Sequence, residues 1–194
     1  MSRSGSKCSH ASLMAPIIVS TELIHSKGRA VEGVIEECHR LRKEVFHLEQ
    51  VPLSVHSAYA APHPLPQGFP LDTEFDEVED LATHFLLRVT EEDPDTSIRT
   101  VKSVGTIRGT TPEIYPAINR YKLSRLVVDK DYRKHRFGRV LVEELHRWVQ
   151  DDAKAAQRPA VIECHSQIPA MGFYAKFGYI PEASRFHEEF HSWA

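Results

Sequence analysis

Apolar positions recur along this chain with two periods, and each period predicts a different element. Alternating or continuous apolar stretches predict strands at Ile17–Ile24, Ala82–Val89, Val101–Arg108, Leu123–Val128 and Ala160–Cys164. Between Val31 and Glu49 the apolar residues Val34, Ile35, Cys38, Leu41, Val45 and Phe46 recur at i, i+3 and i+4, which predicts a helix. A second helix is expected from Gly138 to Asp152, with Phe137, Val140, Leu141, Leu145, Trp148 and Val149 on one face. A short helix over Pro169–Phe177 should stop at Gly178. The polar run Glu91–Asp95 predicts a turn that closes an antiparallel hairpin. The aromatic tail Tyr179–Trp193 is expected to supply final strands. The fold class is therefore α/β in the mixed α+β sense, antiparallel in its first half and strand–helix–strand in its second.

Composition narrows the picture. A chain of 194 residues with 41% hydrophobic and 26% charged content is expected to form one globular domain over 16–194, preceded by a disordered terminus over 1–15. The proline-rich stretch Gln50–Thr73 interrupts it as an insertion of the functional or disordered kind. Three cysteines with no CxxC spacing fit reduced thiols and a cytoplasmic protein. The apolar run Leu13–Val19 is too short to span a bilayer, so no membrane association is expected.

The net charge of −3 conceals a segregation. Residues 69–95 hold ten acids and one base, and residues 120–139 hold eight bases and two acids. The basic block straddles an apolar strand end, a charged turn and a helix start. Unpaired N–H groups and the positive end of a helix dipole meet Arg133, Lys134, Arg136 and Arg139 there, a setting suited to a phosphate or pyrophosphate. Nucleic acid is the weaker reading of the same block, because only Tyr121, Tyr132 and Phe137 interleave aromatic rings with it.

The segment Val128-Asp129-Lys130-Asp131-Tyr132-Arg133-Lys134-His135-Arg136-Phe137-Gly138-Arg139 resembles the acetyl-CoA motif Arg/Gln-x-x-Gly-x-Gly/Ala of the GNAT-superfamily N-acetyltransferases. Arg136 replaces the first glycine. Downstream, Gln167-x-x-Ala170-x-x-Phe173-Tyr174-x-x-x-Gly178-Tyr179 resembles the family's Asn-x-x-Ala-x-x-Phe-Tyr-x-x-x-Gly-Phe pattern, with Gln167 in place of Asn. Upstream, Arg42-x-x-Val45-Phe46, Glu49-Gln50, the acids from Glu74 to Asp80, and His84 resemble one branch of the same superfamily. The resemblance runs from about Ile17 to the C-terminus.

That resemblance implies a mostly antiparallel sheet of six or seven strands, flanked by helices and splayed between two parallel strands at the acetyl-CoA site. It implies an N-acetyltransferase that passes an acetyl group directly to a primary amine of a small molecule or a peptide in a ternary complex. The alternative is a non-catalytic acyl-CoA sensor or scaffold of the same fold. Leu126, Val127 and Val128, the loop residues Arg133 to Arg139, and Gln167, Ala170 and Phe173 would hold acetyl-CoA. Tyr174 would protonate the departing thiolate, unless it is simply a core aromatic. The base stays open among His84, Glu163 and His165, with Glu74 and Asp76 in the same acidic setting. Glu74, Asp76 and Arg125 are candidate substrate contacts, which would suit a cationic amine. A monomer or homodimer is expected. His187-Glu188-x-x-His191 matches the zinc pattern HExxH, but only three residues follow to supply a third ligand, so no metal is expected.

Overall fold

A computed structural model describes residues 15–49 and 76–182. The terminus over 1–14, the whole Gln50–Thr73 insertion with Glu74, and the tail from residue 183 with its HExxH run lie outside the described residues. The chain divides into two compact units, Met1–Glu163 and Cys164–Ala194.

Five strands form one sheet in the order β1-β2-β3-β4-β5. They are β1 (Ile17–Lys27), β2 (Thr83–Glu92), β3 (Arg99–Thr110), β4 (Tyr121–Val128) and β5 (Ile162–Cys164). The first three neighbouring pairs are antiparallel. Between the sheet neighbours β4 and β5 runs helix α2 (Phe137–Ala155), the helical crossover that parallel strands require, and the sheet is mixed. Helix α1 (Val34–Arg42) continues as a wider π turn over Lys43–Glu49. The expected mixed α+β class is the observed one. Five strands stand among the described residues where six or seven were expected.

Alternation along the strands sorts the side chains onto two unlike faces. On the α2 face, Phe85, Leu87, Val89, Ile107, Tyr121 and Leu123 are buried, as are Leu141, Leu145 and Val149 of the helix. Trp148 meets Phe85 and Tyr121 edge-on, at ring-centroid distances of 5.8 and 6.0 Å. The other face takes α1 through Val34, Cys38, Leu41 and Val45, which pack on Leu86 and Val127. That face also carries buried charge.

The hairpin is longer than its polar residues suggested. Strand β2 continues to Glu92 and β3 resumes at Arg99, so Glu91 belongs to the ladder and not to the turn. Its carboxylate is buried because the Tyr132 hydroxyl donates to it at 2.6 Å and Lys102 approaches at 2.8 Å. Asp93 makes the actual turn, accepting from the backbone N–H groups of Asp95 and Thr96.

Helix α2 can lie close because β3 offers glycines beneath it. A Cβ on Gly109 would stand 2.8 Å from the Trp148 ring and 3.3 Å from Leu145. Gly109→Ala should therefore lower stability by about 1–2 kcal/mol, the overpacking strain less the entropy that alanine removes from the unfolded chain. A urea titration checks this. An unchanged midpoint would mean that the helix shifts at no cost.

Candidate active site

Within the first unit the basic loop follows directly from the end of β4. The Asp129 N–H donates to the Val104 carbonyl at 2.9 Å, and the Asp129 side chain accepts from the Asp131 N–H, starting a 3-10 turn over Lys130–His135. Tyr132 anchors that turn through its bond to Glu91 and is 8% exposed. Arg136 then takes φ 62°, ending the turn and capping α2 at once. Left-handed backbone costs a non-glycine residue about 1–2 kcal/mol, which is a physical reason for glycine at this place in the resembling motif. Lys134, His135, Arg136 and Arg139 are exposed beside the first turn of α2. Arg133 Nε donates to the Val128 carbonyl at 3.1 Å, and His135 stacks on Phe137 with centroids 5.5 Å apart. Cationic side chains thus stand beside the first turn of α2, and the residues present suit a pyrophosphate.

One turn back along the chain, β4 is bulged. Thr106 pairs with Val127 and Arg108 with Ser124, so β4 carries one residue more than β3 between these pairs. Arg125 absorbs it at φ 56°. A bulge takes backbone groups out of the ladder beside Leu126, Val127 and Val128, the residues expected at the thioester.

Beside the bulge lies a buried ionic network that the sequence reading did not identify. Arg42, 1% exposed, donates from both terminal nitrogens to Glu79 at 3.0 and 2.9 Å. Arg108, 3% exposed, donates to Glu79 and to both oxygens of Asp76, at 2.7 and 2.8 Å, and through Nε to Ser124 Oγ at 3.1 Å. His39 Nε2 stands 3.0 Å from the second Glu79 oxygen. Burial works to raise both carboxyls. The His39, Arg42 and Arg108 contacts outweigh it at Glu79, and those of Arg108 and Arg125 outweigh it at Asp76, so both sit below the ordinary range. The signal was present in the pattern: Arg42 falls four residues after Cys38, inside the apolar stripe of α1.

The sequence candidates of this unit are engaged in the protein's own contacts. Asp76, expected to meet a cationic amine, is gripped by Arg108 and stands 3.5 Å from Arg125. His84, a candidate base, is 1% exposed, with Nε2 2.9 Å from the Glu79 carbonyl. Burial holds its pKa below 6.5, so it is a neutral histidine walled from solvent, which fits a structural role better than proton exchange with an acceptor. Glu163 is half-buried, with Arg120 at 3.7 Å. Glu74 lies outside the described residues.

In the second unit, Ile168–Phe177 is one short helical segment that changes pitch twice and ends at Gly178 with φ 86°, as expected. His165 and Gln167 are exposed at its approach, and Ala170 is half-buried at its first turn. Phe173 and Tyr174 meet edge-on at 5.2 Å, and Tyr174 meets Tyr179 at 5.5 Å. Tyr174 is 9% exposed. Burial, reinforced by Cys164, pushes its phenol above the usual value, so it keeps its proton throughout the neutral range. Among the described residues no group of three His, Cys, Asp or Glu could hold a metal, and no helix is long and apolar enough to cross a membrane.

This architecture is that of an acyl-CoA acyltransferase. Among solved structures, an acyl-CoA N-acyltransferase from Pseudomonas aeruginosa matches over 87% of this chain and 94% of its own, with a TM-score of 0.59 at 15% identity. A Trypanosoma brucei acetyltransferase matches over 88% and 100%, with a TM-score of 0.51 at 15% identity. A Bacillus subtilis (strain 168) protein named a putative acetyltransferase is 31% identical over 122 residues, 62% of this chain and 70% of that one. The family model "Acetyltransferase (GNAT) domain" matches residues 85–181. The chain belongs to the GNAT acetyltransferase family, and its class is transferase.

The pKa directions fix how stability should respond to acid. Native His84, His25 and His146 bind protons less readily than their ordinary value of 6.5. Below that pH the unfolded chain takes up protons that the native chain refuses, and stability falls. Asp76 and Glu79 add a second fall below their ordinary values of 3.8 and 4.5. Urea midpoints across pH should therefore be level above about 6.5, a threshold set by ordinary imidazole, and then decline in these two stages. A constant midpoint from pH 7 down to 5 would contradict the buried neutral histidines. Glu79→Gln should cost about 3–5 kcal/mol, because it removes the negative charge shared by two buried guanidinium groups.

Proposed function

We propose that this protein is an acetyl-CoA-dependent N-acetyltransferase that transfers an acetyl group directly to a primary amine in a ternary complex. The observation that carries the reading is the junction of β4 and α2. There a bulged strand end and a cation-bearing helix start follow one another along residues 125–139. Family membership supports it.

In this reading Arg133, Lys134, Arg136 and Arg139, with the first N–H groups of α2, hold the pyrophosphate of acetyl-CoA. His135, Phe137 and Gly138 shape that loop. Backbone groups at Leu126, Val127 and Val128 bind the pantetheine arm and stabilise charge on the thioester oxygen. Gln167, Ala170 and Phe173 complete the cofactor contacts by resemblance. The amine nitrogen attacks the thioester carbon, the carbon–sulfur bond breaks, and Tyr174 gives its proton to the leaving sulfur. A phenol kept protonated by burial supports that role. Glu163 or His165, both at least partly open to solvent, accepts the amine proton directly or through water. Arg125 belongs to the acceptor side, while Asp76 is held by Arg108.

Acetyl-CoA at a hundred times its Kd should stabilise the fold by about 2.7 kcal/mol, raising Tm by roughly 5–10 °C. No shift at millimolar ligand would remove the reading at its first step. Release of CoA thiol with a panel of amino acids, polyamines and lysine peptides then separates an enzyme from a sensor, since a sensor binds and releases nothing. Tyr174→Phe should slow thiol release at least tenfold, on the scale of lost acid catalysis, with acetyl-CoA affinity kept within about twofold. An unchanged rate would withdraw the role of Tyr174.

A further inference from the structure

Two of the acids of residues 76–80, Asp76 and Glu79, are not surface charge awaiting a substrate but are built into the support of the β4 bulge. Arg108, on β3, sits opposite Ser124 in the register and reaches Ser124 Oγ through Nε at 3.1 Å. Its terminal nitrogens clasp both oxygens of Asp76 at 2.7 and 2.8 Å. Asp76 Oδ2 stands 3.5 Å from Nη2 of Arg125, the bulged residue that follows Ser124. The contacts close a ring: Arg108 to Ser124, along the chain to Arg125, across to Asp76, and back to Arg108. Glu79, itself held by Arg42, fixes Arg108 from beneath.

A left-handed, non-glycine residue persists only where its surroundings over-determine it, and this ring does so from both sides of the bulge. Two features argue against a merely cohesive role. The ring is aimed at the single irregular step of β4, and a lone hydroxyl, Ser124, joins it to the strand. Burying two arginines on one buried and one half-buried carboxylate is also a poor way to gain stability alone.

We infer that Arg108, Asp76 and Ser124 are positioning residues, which set the bulge so that the backbone after it meets the acetyl thioester and not merely the CoA arm. This rests on the cofactor reading above and assigns the acetyl-specific part of it. Separate anchoring makes the two parts separable. The loop is anchored independently, by Tyr132 on Glu91 and by Asp129 on Val104.

The test uses the full chain with two probes, CoA and acetyl-CoA, each titrated calorimetrically. The wild type should bind acetyl-CoA several-fold more tightly than CoA. Ser124→Ala, which removes only the hydroxyl, and Arg108→Lys, which keeps the charge but loses the two-pronged grip, should each bring that ratio toward one. CoA affinity itself should stay within twofold. Ser124→Thr, which restores a hydroxyl, should recover the preference. A preference retained in both variants overturns the inference. So does a parallel loss for both ligands, the mark of general damage, or a wild-type ratio of one. If neither ligand binds the wild type, the cofactor reading itself fails and this inference falls with it.

Discussion

Glu79 lies under the sheet between Arg42 of α1 and Arg108 of β3, and most of the first unit's α1 face is organised by what that carboxylate must satisfy. A buried charge is tolerable only when its partners are held in good geometry, so one glutamate fixes two elements at once. Arg108 then carries the constraint outward to Asp76 and to Ser124 on β4. The backbone carbonyl of the same glutamate takes the Nε2 contact of His84, whose burial lowers its pKa against that contact. The opposite face has no such demand. It is built from aromatic and aliphatic packing over glycines, which lets α2 approach closely.

That division bears on the proposed chemistry. The apolar face holds α2 rigidly against β3, and its first turn is therefore a fixed point beside the basic loop. The polar face holds the bulge of β4 a few residues upstream. Between the two faces the strand end at Leu126–Val128 is constrained from both sides. This is the preorganisation that stabilising a developing charge calls for. Arg125 and Arg136, both at positive φ, mark the bulge of β4 and the start of α2 as strained backbone on either side of that strand end.

Much of this was legible in the sequence. Helix α2, the loop before it and the short segment stopped at Gly178 depend on local periodicity, capping and glycine, which neighbouring residues encode. The strand ends were less so, because a buried Glu91 reads as turn until Tyr132 and Lys102 are known to reach it. The pairing within the ionic network was illegible for the same reason. Arg42, Glu79 and Arg108 are far apart in sequence, and nothing local says that a guanidinium in an apolar stripe will find its carboxylate. The acidic stretch accordingly suggested a cation's reception site. Folded, two of its acids prove to be consumed by the protein's own arginines.

The central claim is that residues 126–139 form the acetyl-CoA surface of this protein. Hydrogen–deuterium exchange in the presence and absence of acetyl-CoA tests it most directly, because it reads the backbone N–H groups that the account invokes. The account predicts slowed exchange concentrated at Leu126–Val128 and in the Arg136–Arg139 turn, with little change at the β2–β3 hairpin end. Saturating acetyl-CoA that left those amides exchanging at their unliganded rates would contradict it.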